Sequence, residues 1–154
     1  MTPGIDVAKK NKIAHKVHQY DHDSSSESYG LEAAKKMGVP EQQVFKTLVV
    51  SLNTRELVVG VVPVSSMLSM KLIAKAAGAK KAEMAPQSAV ERSTGYVLGG
   101  VSPLGQKKRL KTIIDSSAKN YSTIYVSAGR RGLEIELSAN DLRRLVNGLF
   151  EDIC

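Results

Sequence analysis

Two runs rich in β-branched residues, Val44 to Leu52 (VFKTLVVSL) and Leu57 to Val64 (LVVGVVPV), are separated by four polar residues, Asn53-Thr54-Arg55-Glu56. β-Branched side chains suit a pleated backbone, and so short a polar spacer has room only for a turn. The pair therefore predicts a β-hairpin whose two strands sit at the centre of a sheet. Every other element has to pack around it.

The flanking sequence supplies those elements. Thr2 and Pro3 read as an N-cap and first helical position, so a short helix is expected to about Lys12, followed by a strand over Ala14 to Tyr20. Asp21 to Ser28 (DHDSSSES) has neither period and is the segment expected to be most mobile. Leu31 to Met37 predicts a helix closed by Gly38, with Val39-Pro40 preventing its continuation. Ser69 should cap a helix through Ala77 that ends at Gly78, and Pro86 should open one through about Ser93 that ends at Gly95. Tyr96 to Leu110 looks irregular. Thr112 to Ile114, Thr123 to Ser127 and Leu133 to Leu137 read as short strands, and Ser138 as the cap of a final helix reaching Asn147. Strands and helices mix without strict βαβ alternation, and the hairpin argues for antiparallel pairing. The expected fold is α+β: a twisted, mainly antiparallel, barrel-like sheet with helices packed outside. No linker or repeat divides the chain, so residues 1–154 are expected to form one domain.

Charge narrows the partners. Twenty-two basic against 15 acidic residues give +7, a balance that favours polyanions and above all nucleic acid. With no Trp and only two Phe, a stacking platform for single strands is not favoured. The single cysteine, Cys154, excludes an internal disulfide and points to a reducing compartment. No apolar run approaches the ~20 residues of a membrane helix, and MTPGIDVAKKNK lacks the apolar core of a signal peptide. A soluble, cytoplasmic protein is expected.

Several residues could carry chemistry. Strand alternation places Lys46 with Val44, Leu48, Val50 and Leu52 on the more apolar side, where an ammonium must either snorkel to solvent or face an anion or polar ligand. Gly95 to Gly105 (GYVLGGVSPLG) runs directly into Lys107-Lys108-Arg109, and is either a tight turn before a solvated basic strand or a cradle for a phosphate, ribose or acyl carbonyl. It matches neither the P-loop nor the Rossmann fingerprint. Arg130-Arg131 after Gly129 repeats the pairing of glycine with charge. Ser102 lies outside a G-x-S-x-G elbow, so a serine triad is not expected. His15 and His18 point to opposite faces of a strand, which disfavours a metal site with Asp21 and His22. Glu134 and Glu136 share a face opposite Leu133, Ile135 and Leu137 and read as a solvated face rather than an acid/base pair. No nucleophile or general base stands out, so any hydrolase here would act through positioning, backbone donors or a group on the substrate.

Four segments together resemble the YbaK family of Cys-tRNA(Pro) deacylases: Phe45-Lys46-Thr47-Leu48, Ala79 to Ala85 (AKKAEMA), Ser93 to Arg109 (STGYVLGGVSPLGQKKR) and Ser127 to Leu133 (SAGRRGL). That family is similar to the editing domain of bacterial-type prolyl-tRNA synthetases. The resemblance implies hydrolysis of the ester between cysteine and the terminal adenosine of tRNA, with the substrate's own thiol attacking its carbonyl. It implies that Lys46 holds the acceptor end, that Gly99 and Gly100 act as backbone donors beside it, and that Tyr20, Tyr29, Thr47, Ser102, Ser127, Ala128, Gly129 and Glu134 contact the substrate. Lys107, Lys108, Arg109 and Arg130 become tRNA contacts. Ala128 stands where relatives commonly carry a glycine, and Glu134 where a shorter acidic residue is frequent. The implied partners are aminoacyl-tRNA and prolyl-tRNA synthetase, with a monomer acting without metal or cofactor. A deacylase for Ala-tRNA(Pro) or other small aminoacyl-tRNAs, and a non-catalytic tRNA- or synthetase-binding module, remain alternatives.

Overall fold

The computed structural model describes residues 1–23, 25 and 28–154. Ser24, Ser26 and Glu27, within the loop expected to be mobile, lie outside the described residues. The predicted hairpin forms β2 (Phe45–Leu52) and β3 (Leu57–Pro63), paired antiparallel from Phe45–Pro63 to Ser51–Leu57. Alternation along it divides the core. Phe45, Val49, Val59 and Val61 enter one hydrophobic cluster, whereas Val50, Leu52, Val58 and Val62 enter another on the opposite face. A strand covered on both faces has to be apolar at nearly every position, and β3 is.

Around the hairpin stand α1 (Pro3–Lys10), β1 (His15–Gln19), α2 (Tyr29–Met37), α3 (Met70–Ala76), β4 (Ala82–Met84), α4 (Gln87–Thr94), β5 (Lys111–Asp115), β6 (Ile124–Arg130), β7 (Leu133–Leu137), α5 (Ala139–Val146) and β8 (Leu149–Glu151). Side-chain oxygens of Thr2, Ser28, Ser69 and Ser138 accept the N–H three residues on, so α1, α2, α3 and α5 begin where a hydroxyl can satisfy an orphan donor, whereas α4 follows Pro86 without a side-chain cap. The predicted elements are present, with α2 opening two residues earlier than expected.

The strands form two sheets, ordered β4-β2-β3-β5-β8 and β1-β7-β6. The β1–β7, β6–β7, β2–β3 and β2–β4 ladders are antiparallel, whereas β3–β5 and β5–β8 are parallel. The parallel pairs need long crossovers, and residues 64–110 and 116–148 supply them. A parallel bridge between Val44 and Tyr125 links the two sheets. The α+β architecture with mainly antiparallel sheets is as expected, and the two sheets meet through that bridge. Two strands escaped sequence reading. β4 and β8 have only three residues each, too short for a period to show, and exist through pairing with Val50–Leu52 and Ile113–Asp115. No described helix is long and apolar enough to cross a membrane.

Candidate active site

β4 covers only the Val50–Leu52 end of β2, and β6 bridges the chain at Val44, just before β2 begins. Between those contacts the strand edge is bare. The Val44 carbonyl accepts the Val64 N–H on the β3 side and the Val49 carbonyl accepts the Ala85 N–H on the other, so alternation aims the main-chain groups of Thr47 at the bare edge. A cavity of about 430 Å³ opens there. Five consecutive residues, Val44 to Leu48, line it. A sheet face would present alternate residues, so only an exposed edge yields this pattern. The other walls are Ser28 at the start of α2 with Tyr29, Gly30 and Ala33 of that helix, the loop after α4 at Leu98, Gly99 and Val101, Tyr20 after β1, and Ser127, Arg131 and Glu134 of the β6–β7 hairpin.

The wall chemistry is unusual for a protein interior. Among the described residues, three buried side-chain polar atoms lack a hydrogen-bond partner: Thr47 Oγ1, Arg131 Nε and Arg131 Nη2. Both residues line this cavity. Buried donors and acceptors are nearly always satisfied, so two residues with orphaned polar atoms bordering one hollow point to a polar ligand. The Arg131 guanidinium lies 3.6 Å from the centroid of the Tyr29 ring, a stacked cation–π contact. Lys46 is half-buried in the wall.

Glu134 stands opposite Ser127 in the β6–β7 register and is 6% exposed. Burial pushes its carboxyl up to about 8, so at neutral pH it is a protonated acid able to donate a hydrogen bond. Burial also raises the Tyr20 phenol, with Glu134 adding to the effect. Glu136, two residues along, behaves oppositely. Burial pushes it up, but hydrogen bonds from Thr123 and His18 prevail and hold it below the ordinary carboxylate range. No histidine or cysteine lines the cavity, so its described walls hold no such nucleophile–base pair. The site is a donor-rich, cationic hollow suited to an ester carbonyl together with a phosphate or ribose. A larger groove of about 570 Å³ beyond the 95–110 loop is lined by Lys10, Lys108, Arg109 and Arg144, but none of the orphaned atoms belongs to it. It reads as basic surface.

The aminoacyl-tRNA editing domain model matches residues 27–145, which include every wall of the cavity except Tyr20. A protein of Enterococcus faecalis, EbsC, provisionally named a Cys-tRNA(Pro)/Cys-tRNA(Cys) deacylase, is 38% identical over 153 residues, covering 99% of this chain and 92% of that protein. The chain belongs to the aminoacyl-tRNA editing domain family. Editing hydrolyses the ester between an amino acid and tRNA, so this editing domain is an aminoacyl-tRNA deacylase. An uncharacterized protein of Bacillus subtilis, YwhH, is 25% identical over 124 residues, 80% of this chain and 78% of its own. A solved structure described provisionally as a trans-editing enzyme for prolyl-tRNA synthetase superposes with a TM-score of 0.83, covering 99% of this chain and 98% of its own. At 20% identity that likeness concerns the fold.

Within this editing domain the residues singled out from sequence divide into three groups. Lys46, Thr47, Tyr20, Tyr29, Gly99, Ser127 and Glu134 meet in the cavity. The solvated face read for Glu134 and Glu136 is corrected: Ala33 and Ala34 of α2 pack with Val44, Val64 and Tyr125 over that side of the β1-β7-β6 sheet. Ser102, Ala128 and Gly129 stand behind the cavity wall. Ser102 is fully buried and its hydroxyl accepts the Leu104 N–H. The Ala128 carbonyl accepts the Thr2 hydroxyl, and a side chain on Gly129 would meet Tyr96 Cε1 at 2.8 Å. These three pack against α1 and Tyr96 rather than facing a ligand.

Gly100 also differs from expectation, since its N–H donates to the Val97 carbonyl and is committed within the loop. What its lack of a side chain permits is contact: a Cβ there would lie 2.7 Å from Arg130 Cα. Gly99, with φ +91, has no room either, because its Cβ would meet Tyr29 Cε2 at 2.6 Å. Lys107, Lys108, Arg109 and Arg130 are exposed outside the cavity. Among the histidines, His18 pairs with Glu136 and His22 with Glu32, each at 2.9 Å. The residue missed as a site member is Arg131. Its charge beside Gly129 was visible, but which of Arg130 and Arg131 turns inward depends on a bulge: pairing passes from Ser127–Glu134 directly to Arg130–Leu133.

Proposed function

We propose that this protein clears Cys-tRNA(Pro), hydrolysing the ester between cysteine and the terminal adenosine of tRNA mischarged by prolyl-tRNA synthetase. The observation that carries the reading is the cavity itself: Lys46, unpaired donors of Arg131 and a protonated Glu134 surround it, with no histidine or cysteine in its walls. Such a site can orient an ester and stabilise developing negative charge, but lacks an evident nucleophile of its own. The cysteine thiol can serve instead. It attacks its own ester carbonyl, the terminal hydroxyl of the tRNA leaves, and water opens the resulting thiolactone. Lys46 holds the acceptor end, while Tyr20, Tyr29, Thr47, Ser127 and Glu134 shape the pocket. In this reading residues 1–154 act as one domain, in the cytoplasm, as a monomer, with prolyl-tRNA synthetase as a partner that delivers the substrate.

The test is deacylation of Cys-tRNA(Pro), Ala-tRNA(Pro) and Ser-tRNA by the purified protein, with and without that synthetase. Turnover confined to the cysteinyl ester is the expected result, and equal turnover of the alanyl ester would refute thiol assistance. Lys46→Ala should reduce turnover by ~100-fold with its melting temperature preserved. A fully active variant would remove Lys46 from the site.

A further inference from the structure

We infer that Arg131 and Tyr29 form a phosphate-binding subsite at the cavity mouth, which takes the phosphodiester on the 5′ side of the terminal adenosine. The inference rests on the deacylase reading and adds how the nucleotide end is gripped. Nε and Nη2 are the two donors along one side of the guanidinium, the pair that can bind two oxygens of one phosphate at once. Both are buried and unpartnered, so that whole side of the fork is unused. Stacking at 3.6 Å on Tyr29, itself 41% exposed, sets the plane of the fork at the rim of the hollow. The loop holds the pair in place, since a Cβ on Gly99 would come within 2.6 Å of Tyr29 Cε2 and 3.2 Å of Arg131 Cδ.

The charge of Arg131 helps to hold the Glu32 carboxyl below its ordinary range, but among the described residues no protein group is hydrogen-bonded to the Nε and Nη2 side of its fork. Glu32 is engaged by His22 at 2.9 Å and by the Asp23 N–H at 2.8 Å, and Glu134, the carboxyl in the cavity wall, is protonated at neutral pH. None of the ion pairs among the described residues includes Arg131. The aminoacyl end of the substrate carries an ammonium, which a guanidinium repels. The phosphodiester is the anion nearest the ester, and it is the group whose two oxygens the fork can take.

The test uses the full chain. Binding of adenosine 5′-monophosphate and of adenosine is measured by calorimetry for the wild type, Arg131→Lys and Arg131→Gln, alongside deacylation kinetics on Cys-tRNA(Pro). The monophosphate should bind the wild type at least ~10-fold more tightly than adenosine, as charge-assisted bidentate pairs do. Both variants should lose that preference, Lys included, because a single ammonium cannot replace the fork. KM should rise ~10-fold in Arg131→Gln with kcat little changed, as expected when a contact made equally in ground and transition states is removed. Equal wild-type affinities, no detectable monophosphate binding at millimolar concentration, or an Arg131→Lys protein that keeps the preference would each overturn the subsite. The two readings fail separately. An Arg131-dependent preference without Cys-tRNA(Pro) turnover upholds the subsite and sinks the deacylation reading, whereas turnover with equal affinities does the reverse.

Discussion

Glu134 shows what burial does to one side chain. Its carboxyl is held at about 8 in the folded protein against an ordinary value of 4.5, so the folded state binds a proton that the unfolded chain has already released. Stability contributed by this proton is fully present below about pH 4.5 and is lost progressively as pH rises toward about 8. Glu134→Gln should therefore flatten the dependence of melting temperature on pH across that window. Near pH 8 the variant should be the more stable by on the order of a few kcal/mol, since one pKa unit is worth about 1.4 kcal/mol. Parallel thermal melts of both proteins from pH 5 to 8.5 check this, and parallel curves would show that Glu134 does not titrate in that window. The carboxylate was legible in the sequence. Its environment was not, because alternation along β7 assigns Glu134 and Glu136 to one face without saying that α2 covers it.

Between elements, the cavity depends on contacts that a short run of sequence conceals. The loop after α4 closes onto the β6–β7 turn only because Gly100 lets the two backbones meet, and Gly99 then reaches Tyr29 and Arg131. Gly100→Ala should force the loop outward, at a cost of ~1–3 kcal/mol by overpacking. The melting temperature should drop by several degrees, and KM for aminoacyl-tRNA should rise as the Tyr29–Arg131 stack loses its support. A variant with unchanged melting and KM would place the loop elsewhere. The helices were easier to read, because their caps are local: Ser69 and Ser138 sit where sequence placed them, each accepting an N–H at 3.1 Å. Ser138→Ala should accordingly lower stability by ~1 kcal/mol, visible as a shift in the denaturation midpoint, and leave deacylation intact.

For the molecule as a whole, the +7 charge is the property a tRNA meets first. Lys107, Lys108 and Arg109 lie exposed beyond the loop, pinned at the backbone where the Lys107 and Lys108 N–H groups donate to Thr94 and Ser93. Replacing all three with Ala should weaken tRNA binding and lower the salt slope of its affinity by up to about three units. Turnover of a short aminoacylated fragment ending in the terminal adenosine should be unaffected, and an unchanged slope would remove these residues from the tRNA surface. By itself the sequence determined the central hairpin, the helix starts, the positive charge and the family, because β-branched runs, capping hydroxyls, ionisable residues and contiguous motifs all act locally or by simple addition. Tertiary structure alone decided that a bare edge of β2 becomes a cavity, that Glu134 is buried there, that Arg131 rather than Arg130 turns inward, and that Ser102, Ala128 and Gly129 stand behind the wall. Those outcomes depend on which element covers which face and on a two-residue bulge. Periodicity can name a face, but packing decides what lies against it.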